Sequence, residues 1–430
     1  MDVRTVRRKR LEQLLELAQA YQGCSRKELA RILGRDRTKL VPTSGVPKLD
    51  MVIDLCRVLE WPVGDVAGFL WPGSASPKPT TEIMSIDDAV ENDVDEPEYE
   101  KLQIQSRDAH RRGDCSQAIK FAQQAAAVAD TSDQRALACN REAVAWDGIG
   151  HYSSALEAEQ RGLKERSIAP ELRRILESNL ANSYYTLWSL TEAKSLSRDL
   201  IDWYTEEPPA TYRDRCTQAF SYYVRGNTLR RLISSDDDRA RHYAESACSD
   251  LEISLDLYGS LAKDFDESFA GIGNTCRGAQ IEAEVALGRR DVAEGLGMLT
   301  EGLGRVVDPE QCPPGDWLES FGWWCIFGCN IALRHVTDER DLQHHMAIFT
   351  NKADEIADRM NNWSLRERVF TMQYASHQRF LDWTGRMLSL TLDNDDVKAL
   401  VGTMGRFPAF RKTGWKLLQT ARVVREGGER

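Results

Sequence analysis

The chain has no Cys-x-x-Cys pair, no glycine-rich phosphate loop, no Gly-x-Ser-x-Gly elbow and no His-Glu-x-x-His. Each absence removes a chemistry: a thiol redox or zinc-ribbon site, nucleotide hydrolysis, acyl transfer from a serine, and metalloprotease action. Seven histidines are present, and they do not cluster with acids at the spacing that proton transfer needs. We therefore expect neither an enzyme nor a cofactor. Long apolar runs are missing too. The longest stretches, such as Phe321 to Leu333, fall short of the ~20 residues that a spanning helix requires, so no membrane partner is expected. The opening MDVRTVRRKRLEQLL carries basic residues into an amphipathic helix without a small-residue cleavage site, which reads as cytoplasmic.

Ten cysteines are scattered through the 430 residues. Such spacing is that of reduced, buried thiols rather than of a disulfide framework. Cys325 and Cys329 stand one helical turn apart, with His335, His344 and His345 downstream. Their neighbours Trp323, Trp324, Ile326 and Phe327 make them small hydrophobes between helices, and no metal site is expected.

Charge is the first positive signal. The net charge is −11, yet the first forty residues hold eleven Lys or Arg against five acids. Residues 73 to 100 carry one Lys and nine acids. A basic head on an acidic protein points to an anionic partner for the head. The stretch from Gly73, GSASPKPTTEIMSIDDAVENDVDEPEYE, mixes Pro, Ser and Thr with a dense acidic run and has too few apolar residues to order itself. Three segments follow: a head over 1–72, a disordered acidic linker over 73–98, and a helical remainder over 99–430.

Periodicity places short helices in the head. Leu11, Leu14, Leu15 and Ala18 form one apolar face. Ser25 and Glu28 form a capping box before Leu29, Ala30 and Leu33, and Gly34 ends that helix. After Pro47, Leu49, Val52, Ile53, Cys56 and Leu59 share a side, and Asp65 to Leu70 makes a last short helix. The segments "ELARILG" and "PKLDMVIDLCRVLEWPVGDVAGFL", with a short basic stretch between them, resemble the Cro and phage-repressor class of helix-turn-helix domains over residues 25 to 70. The spacing from Gly34 to Pro47 is shorter than in that class, and Pro42 interrupts the recognition segment. That segment should then span one or two turns, from Asp36 to Val41. The resemblance implies that Arg37, Thr38 and Lys39 face base edges, and that Arg26, Lys27, Arg35 and Lys48 meet phosphates.

From Tyr99 onward helix pairs succeed one another. The turns around Gly113, Gly150, Trp188 and Gly288 are each followed five residues later by Ala, and Ala118, Ala155 and Ala193 are 37 and 38 residues apart. The stretch around Gly226 fits with a longer turn. These segments resemble tetratricopeptide repeats, mainly over residues 99 to 307. The expected fold class is all-α: a small helix-turn-helix bundle and a tetratricopeptide-like α-solenoid with C-terminal capping helices, among them the basic FRKTGWKLLQTARVV. First helices of such arrays line a concave groove, which would present Asn140, Asp147, Asn182, Tyr185, Asn227, Arg230 and Glu282 to a ligand. The tryptophans from Trp317 to Trp324, with Trp363, Trp383 and Trp415, read as core.

The whole is similar to peptide-sensing transcription regulators. That similarity implies a homodimer whose head binds DNA and whose array binds a peptide or protein. The competing reading is an interaction scaffold with a head that no longer reads DNA.

Overall fold

The computed structural model describes residues 3–42, 46–71, 98–235, 238–385 and 391–423. The expected linker lies outside these residues, apart from Glu98. The architecture is all-α. Extended structure among the described residues is limited to a parallel pairing of Thr391–Leu392 with Arg422–Val423.

Four helices come first: α1 (Val3–Gln22), α2 (Arg26–Ile32), α3 (Leu49–Leu59) and α4 (Val63–Leu70). After them run α5 (Glu98–Arg111), α6 (Cys115–Val128), α7 (Ser132–Gly148), α8 (Tyr152–Lys164), α9 (Pro170–Thr186) and α10 (Leu190–Glu206). The series continues with α11 (Tyr212–Leu232), α12 (Ala240–Asp264), α13 (Phe269–Ala286), α14 (Val292–Leu303), α15 (Asp316–His335), α16 (Glu339–Met360) and α17 (Trp363–Thr384). Last are α18 (Asn394–Arg406) and α19 (Arg411–Thr420). No described helix is long and apolar enough to cross a membrane.

The chain forms two compact units. The first joins α1–α4 to α18 and α19. We expected the C-terminal helices to close the array; they instead complete the head. The Trp61 indole donates to the Val401 carbonyl at 3.3 Å, Phe69 stacks on Trp415 with centroids 4.7 Å apart, and Arg411 pairs with Asp65 at 2.5 Å. The physical reason is core size: a bundle of about 70 residues buries little apolar surface alone, and α18 adds Val397, Leu400, Val401 and Met404, all buried. In α1, Leu11, Leu14, Leu15 and Ala18 are fully buried, as periodicity predicts. The buried side of α3 is rotated from the expected one. Met51, Val52, Leu55, Cys56 and Leu59 point inward, and Leu49 is 70% exposed.

The second unit holds α5–α17. Each helix packs on its sequence neighbours, and the odd-numbered helices from α5 to α17 also pack each on the next. Small side chains permit the close approach: Ala118, Ala155 and Ala193 are fully buried, and a Cβ on Gly226 would come within 2.9 Å of Leu251. The four turns noted in the sequence share one backbone state. Gly113, Gly150 and Gly288 have φ of 78°, 76° and 68°, and Trp188 stands in the same left-handed region at 68°. Gly150 carries a second constraint, because a Cβ there would lie 2.5 Å from the Trp363 ring. The turn between α16 and α17 therefore packs onto the turn between α7 and α8.

These two constraints separate in a pair of variants. Gly113→Ala meets no neighbour and should lose only the left-handed penalty, roughly 1–2 kcal/mol. Gly150→Ala adds overpacking against Trp363, worth a further 1–3 kcal/mol or so. Denaturant unfolding of the two proteins checks the difference, and equal losses would show that the Trp363 contact carries no weight.

Candidate functional site

The second unit carries a half-open cavity of about 380 Å³, at which Asp147 and Asp316 are exposed. Its wall is contributed by α7, α9, α11, α13 and α15, and the turns at 148–152 and 360–364 add to the lining. Among the described residues, three carboxylates line it, Asp147, Asp316 and Glu319, and no Lys, Arg or His does. Aromatic side chains supply much of the rest: Tyr152, Tyr185, Phe220, Tyr223, Trp323 and Trp363. Asp316, Glu319 and Trp323 are spaced i, i+3 and i+7, so one face of α15 delivers all three. The Trp323 indole donates to Glu319 Oε1 at 2.9 Å.

Crowding of like charge shows in the titration behaviour. Desolvation, followed by the neighbouring Glu319, pushes the Asp147 carboxyl up to about 6 although it opens onto the cavity. Burial and then Asp316 raise Glu319, while hydrogen bonds from Trp323 and Asn362 partly offset them. Behind Asp147 lies Glu159 on α8, 4% exposed and with Oε2 unpartnered. Burial first, with Asp147 adding to it, takes its carboxyl up to about 8. A cluster of carboxylates this hard to ionise lowers its own energy by accepting a positive charge.

A second cavity of about 200 Å³ shares Trp323 with the first. Its charge is opposite: Arg230, Arg231, Arg334 and Arg368 line it, and no carboxylate does. Behind it runs a buried network. Arg230 on α11 pairs with Glu282 Oε2 on α13 at 2.7 Å, Asn330 on α15 donates to the same oxygen at 3.1 Å, and Arg334 lies 3.0 Å from Oε1.

Of the groove residues expected from sequence, Asp147, Asn182 and Tyr185 line the acidic cavity and Arg230 lines the basic one. Asn227 and Glu282 are 1% exposed and line neither cavity; Glu282 ties α11, α13 and α15 together, and Asn227 bonds within α11. Their polarity is used up within the protein: Asn227 donates to the Tyr223 carbonyl and receives Arg230 Nε. Asn140 accepts from Asn179 at 2.9 Å, away from both cavities. Missed from sequence were Asp316, Glu319, Arg231, Arg334 and Arg368. For Asp316, Glu319 and Arg334 the available signal was the polar positions of α15; Arg231 on α11 and Arg368 on α17 had none. Trp323 and Trp363, read as core, line the acidic cavity; Trp383 is 40% exposed. Cys325 and Cys329 are fully buried, and burial raises both thiols.

In the first unit the capping box forms as expected, with Ser25 N donating to Glu28 Oε2 at 2.8 Å and Glu28 N to Ser25 Oγ at 3.3 Å. The segment between α2 and α3 lies at the short end of the one or two turns expected. It is a single 3₁₀ turn, Arg37–Lys39, capped by Asp36, whose Oδ1 accepts from Thr38 N at 2.8 Å. Arg37, Thr38 and Lys39 are exposed, as are Lys27 and Lys48, and Arg26 is half-buried. Arg35 is committed to Asp50 at 2.5 Å.

No protein-family model matches the chain, and no curated protein is detectably similar to it.

The raised Glu159 carboxyl has a signed consequence. The unfolded state ionises near 4.5 and the folded state near 8, so the folded form holds the extra proton and loses relative stability as pH rises between those values. Each pKa unit of such a displacement corresponds to about 1.4 kcal/mol. Glu159→Gln should match the parent in thermal melts near pH 4.5 and outlast it increasingly toward pH 8. A constant offset across that range would contradict the assignment.

Proposed function

We propose that this protein is a cytoplasmic DNA-binding transcription regulator, its first unit contacting DNA and its second a tetratricopeptide-like array that receives a peptide or protein ligand. The observation that carries the ligand half is the acidic cavity. Five alternate helices converge on it, so an occupant would touch nearly the whole array at once. Three carboxylates with aromatic walls select a protonated amine or guanidinium, by charge and by cation–π attraction. The occupant therefore presents a basic side chain or an amino terminus.

The DNA half is supported by the basic head and by Arg37, Lys39, Lys27 and Lys48, which are exposed and make no ion pair among the described residues. A single 3₁₀ turn offers little surface to a major groove, so phosphate contact dominates this reading and base readout is slight. A homodimer would double the contact and demand a two-fold related site. The same short turn favours a second reading, an interaction scaffold whose head has ceased to read DNA.

DNA binding by the full chain discriminates them. The regulator predicts an affinity that falls steeply with salt, with a log–log slope reduced by roughly 0.9 for each phosphate contact removed in Arg37→Ala and Lys39→Ala. Absence of binding at low salt by folded protein would leave the scaffold.

The cavity is tested with N-acetyllysinamide, which carries an ammonium and no carboxylate. Its affinity, followed by calorimetry, should rise as pH climbs through about 6, where Asp147 ionises beside Asp316, Glu319 and Glu159. Affinity that is flat or falls across that range would contradict an acidic amine site.

A further inference from the structure

The arginine-lined cavity holds more positive charge than the protein itself neutralises. Arg230 and Arg334 share Glu282, and Arg368 lies 3.8 Å from Glu367. Arg231 has no carboxylate partner among the described residues. Its Nη1 donates to the Tyr185 carbonyl at 2.7 Å, and its guanidinium lies over the rings of Tyr185 and Trp188 at 3.7 and 4.3 Å. The Arg368 guanidinium lies over the same Trp188 ring at 4.6 Å. Loss of hydration, compounded by Arg368 and Arg230, pulls Arg231 down to about 10. A half-buried guanidinium with no carboxylate at ion-pair distance among the described residues costs stability unless something completes it.

Trp188 adds an independent sign that this arrangement is kept for use. The three comparable turns place glycine in the left-handed region, and this one places the bulkiest side chain there, at φ 68°. A left-handed conformation at a residue with a Cβ costs roughly 1–2 kcal/mol. What it gains is an indole on which two arginines rest. Strain retained in this way marks sites where position matters more than stability.

We propose that this second cavity is an oxyanion site, which takes a carboxylate or phosphate of the ligand whose positive group occupies the neighbouring acidic cavity. Arg231, Arg334 and Arg368 supply planar forks of N–H donors that match two oxygens of such a group, and Trp188 fixes two of those forks. Trp323 lines both cavities, and Arg231 of the second rests on Tyr185 of the first, so the two are adjacent and a zwitterionic molecule long enough to pass Trp323 would engage both. A peptide with a free end and a phosphorylated or carboxylated amine share this chemistry. The proposal rests on the second unit being a ligand receptor, and it is independent of DNA binding.

Calorimetry of the full chain with three probes tests it: N-acetylglycine, a carboxylate without an amine; inorganic phosphate; and triglycine, which carries both charges. N-acetylglycine or phosphate should bind saturably, the better of the two identifying the oxyanion, and triglycine should bind more tightly than N-acetylglycine. Arg231→Met should weaken the anion by about tenfold or more, the loss of one charge-assisted pair, while N-acetyllysinamide, whose affinity depends on the carboxylates, should still bind and bind no more weakly. Trp188→Gly, which suits the left-handed turn, should fold and still bind the anion several-fold more weakly. Failure of both anions to bind, or undiminished binding by Arg231→Met and Trp188→Gly, would overturn the oxyanion site. The acidic-cavity reading stands or falls separately on N-acetyllysinamide.

Discussion

Arg230 and Glu282 form an ion pair at 2.7 Å between α11 and α13 with almost no access to solvent, and the interior of the second unit is organised around it. A carboxylate has two oxygens, and Glu282 uses them to bring Asn330 and Arg334 of α15 to the same point. Three helices that do not follow one another directly are thus tied by one anion. Desolvating such a group is expensive unless every charge finds a partner. The pair satisfies this for Arg230, whose guanidinium also lies 4.5 Å from the Phe327 ring centroid. It does not satisfy it for Arg231, the next residue along α11. That imbalance is what separates scaffold from site.

Charge in this interior is sorted rather than mixed. Three carboxylates face one cavity and four guanidiniums the other, with Trp323 common to both linings. They remain apart, and both sets show the cost: Asp147 resists ionising until about pH 6, and Arg231 gives up its proton more readily than an ordinary arginine. Binding a partner of matched polarity would relieve both at once. Stability withheld in the free protein then becomes affinity.

Much of the fold could be read from the sequence, because local rules decide it. The capping box at Ser25 and Glu28, the apolar face of α1 and the recurring turn alanines depend on residues a few positions apart. The second unit's turns were visible for the same reason. What escaped was set by distant partners. Nothing near Leu49 announces that α3 is rotated to expose it, and nothing in the basic tail says that α18 and α19 complete the head by packing Val401 and Trp415 against Trp61 and Phe69. In the site, repeat register put Asp147, Asn182 and Tyr185 on a cavity wall. The same register drew in Asn227 and Glu282, since a helix face turned toward the interior looks alike whether it meets a ligand or another helix. Arg231 directly follows Arg230 on α11, and because i and i+1 on a helix ordinarily face different ways, register alone does not bring both to one cavity.

The dependence of the interior on the Arg230–Glu282 pair is open to direct measurement by a double-mutant cycle in denaturant, using Arg230→Met, Glu282→Met and the double variant. Glu282→Met strands the buried Arg230 and should cost about 3–5 kcal/mol, and Arg230→Met, which leaves Glu282 with Arg334 and Asn330, should cost less. The double variant strands less charge and should recover part of that loss, giving a coupling above about 1 kcal/mol. Additive losses, with the double variant the least stable by the sum of the two, would contradict the claim that this pair holds the interior together.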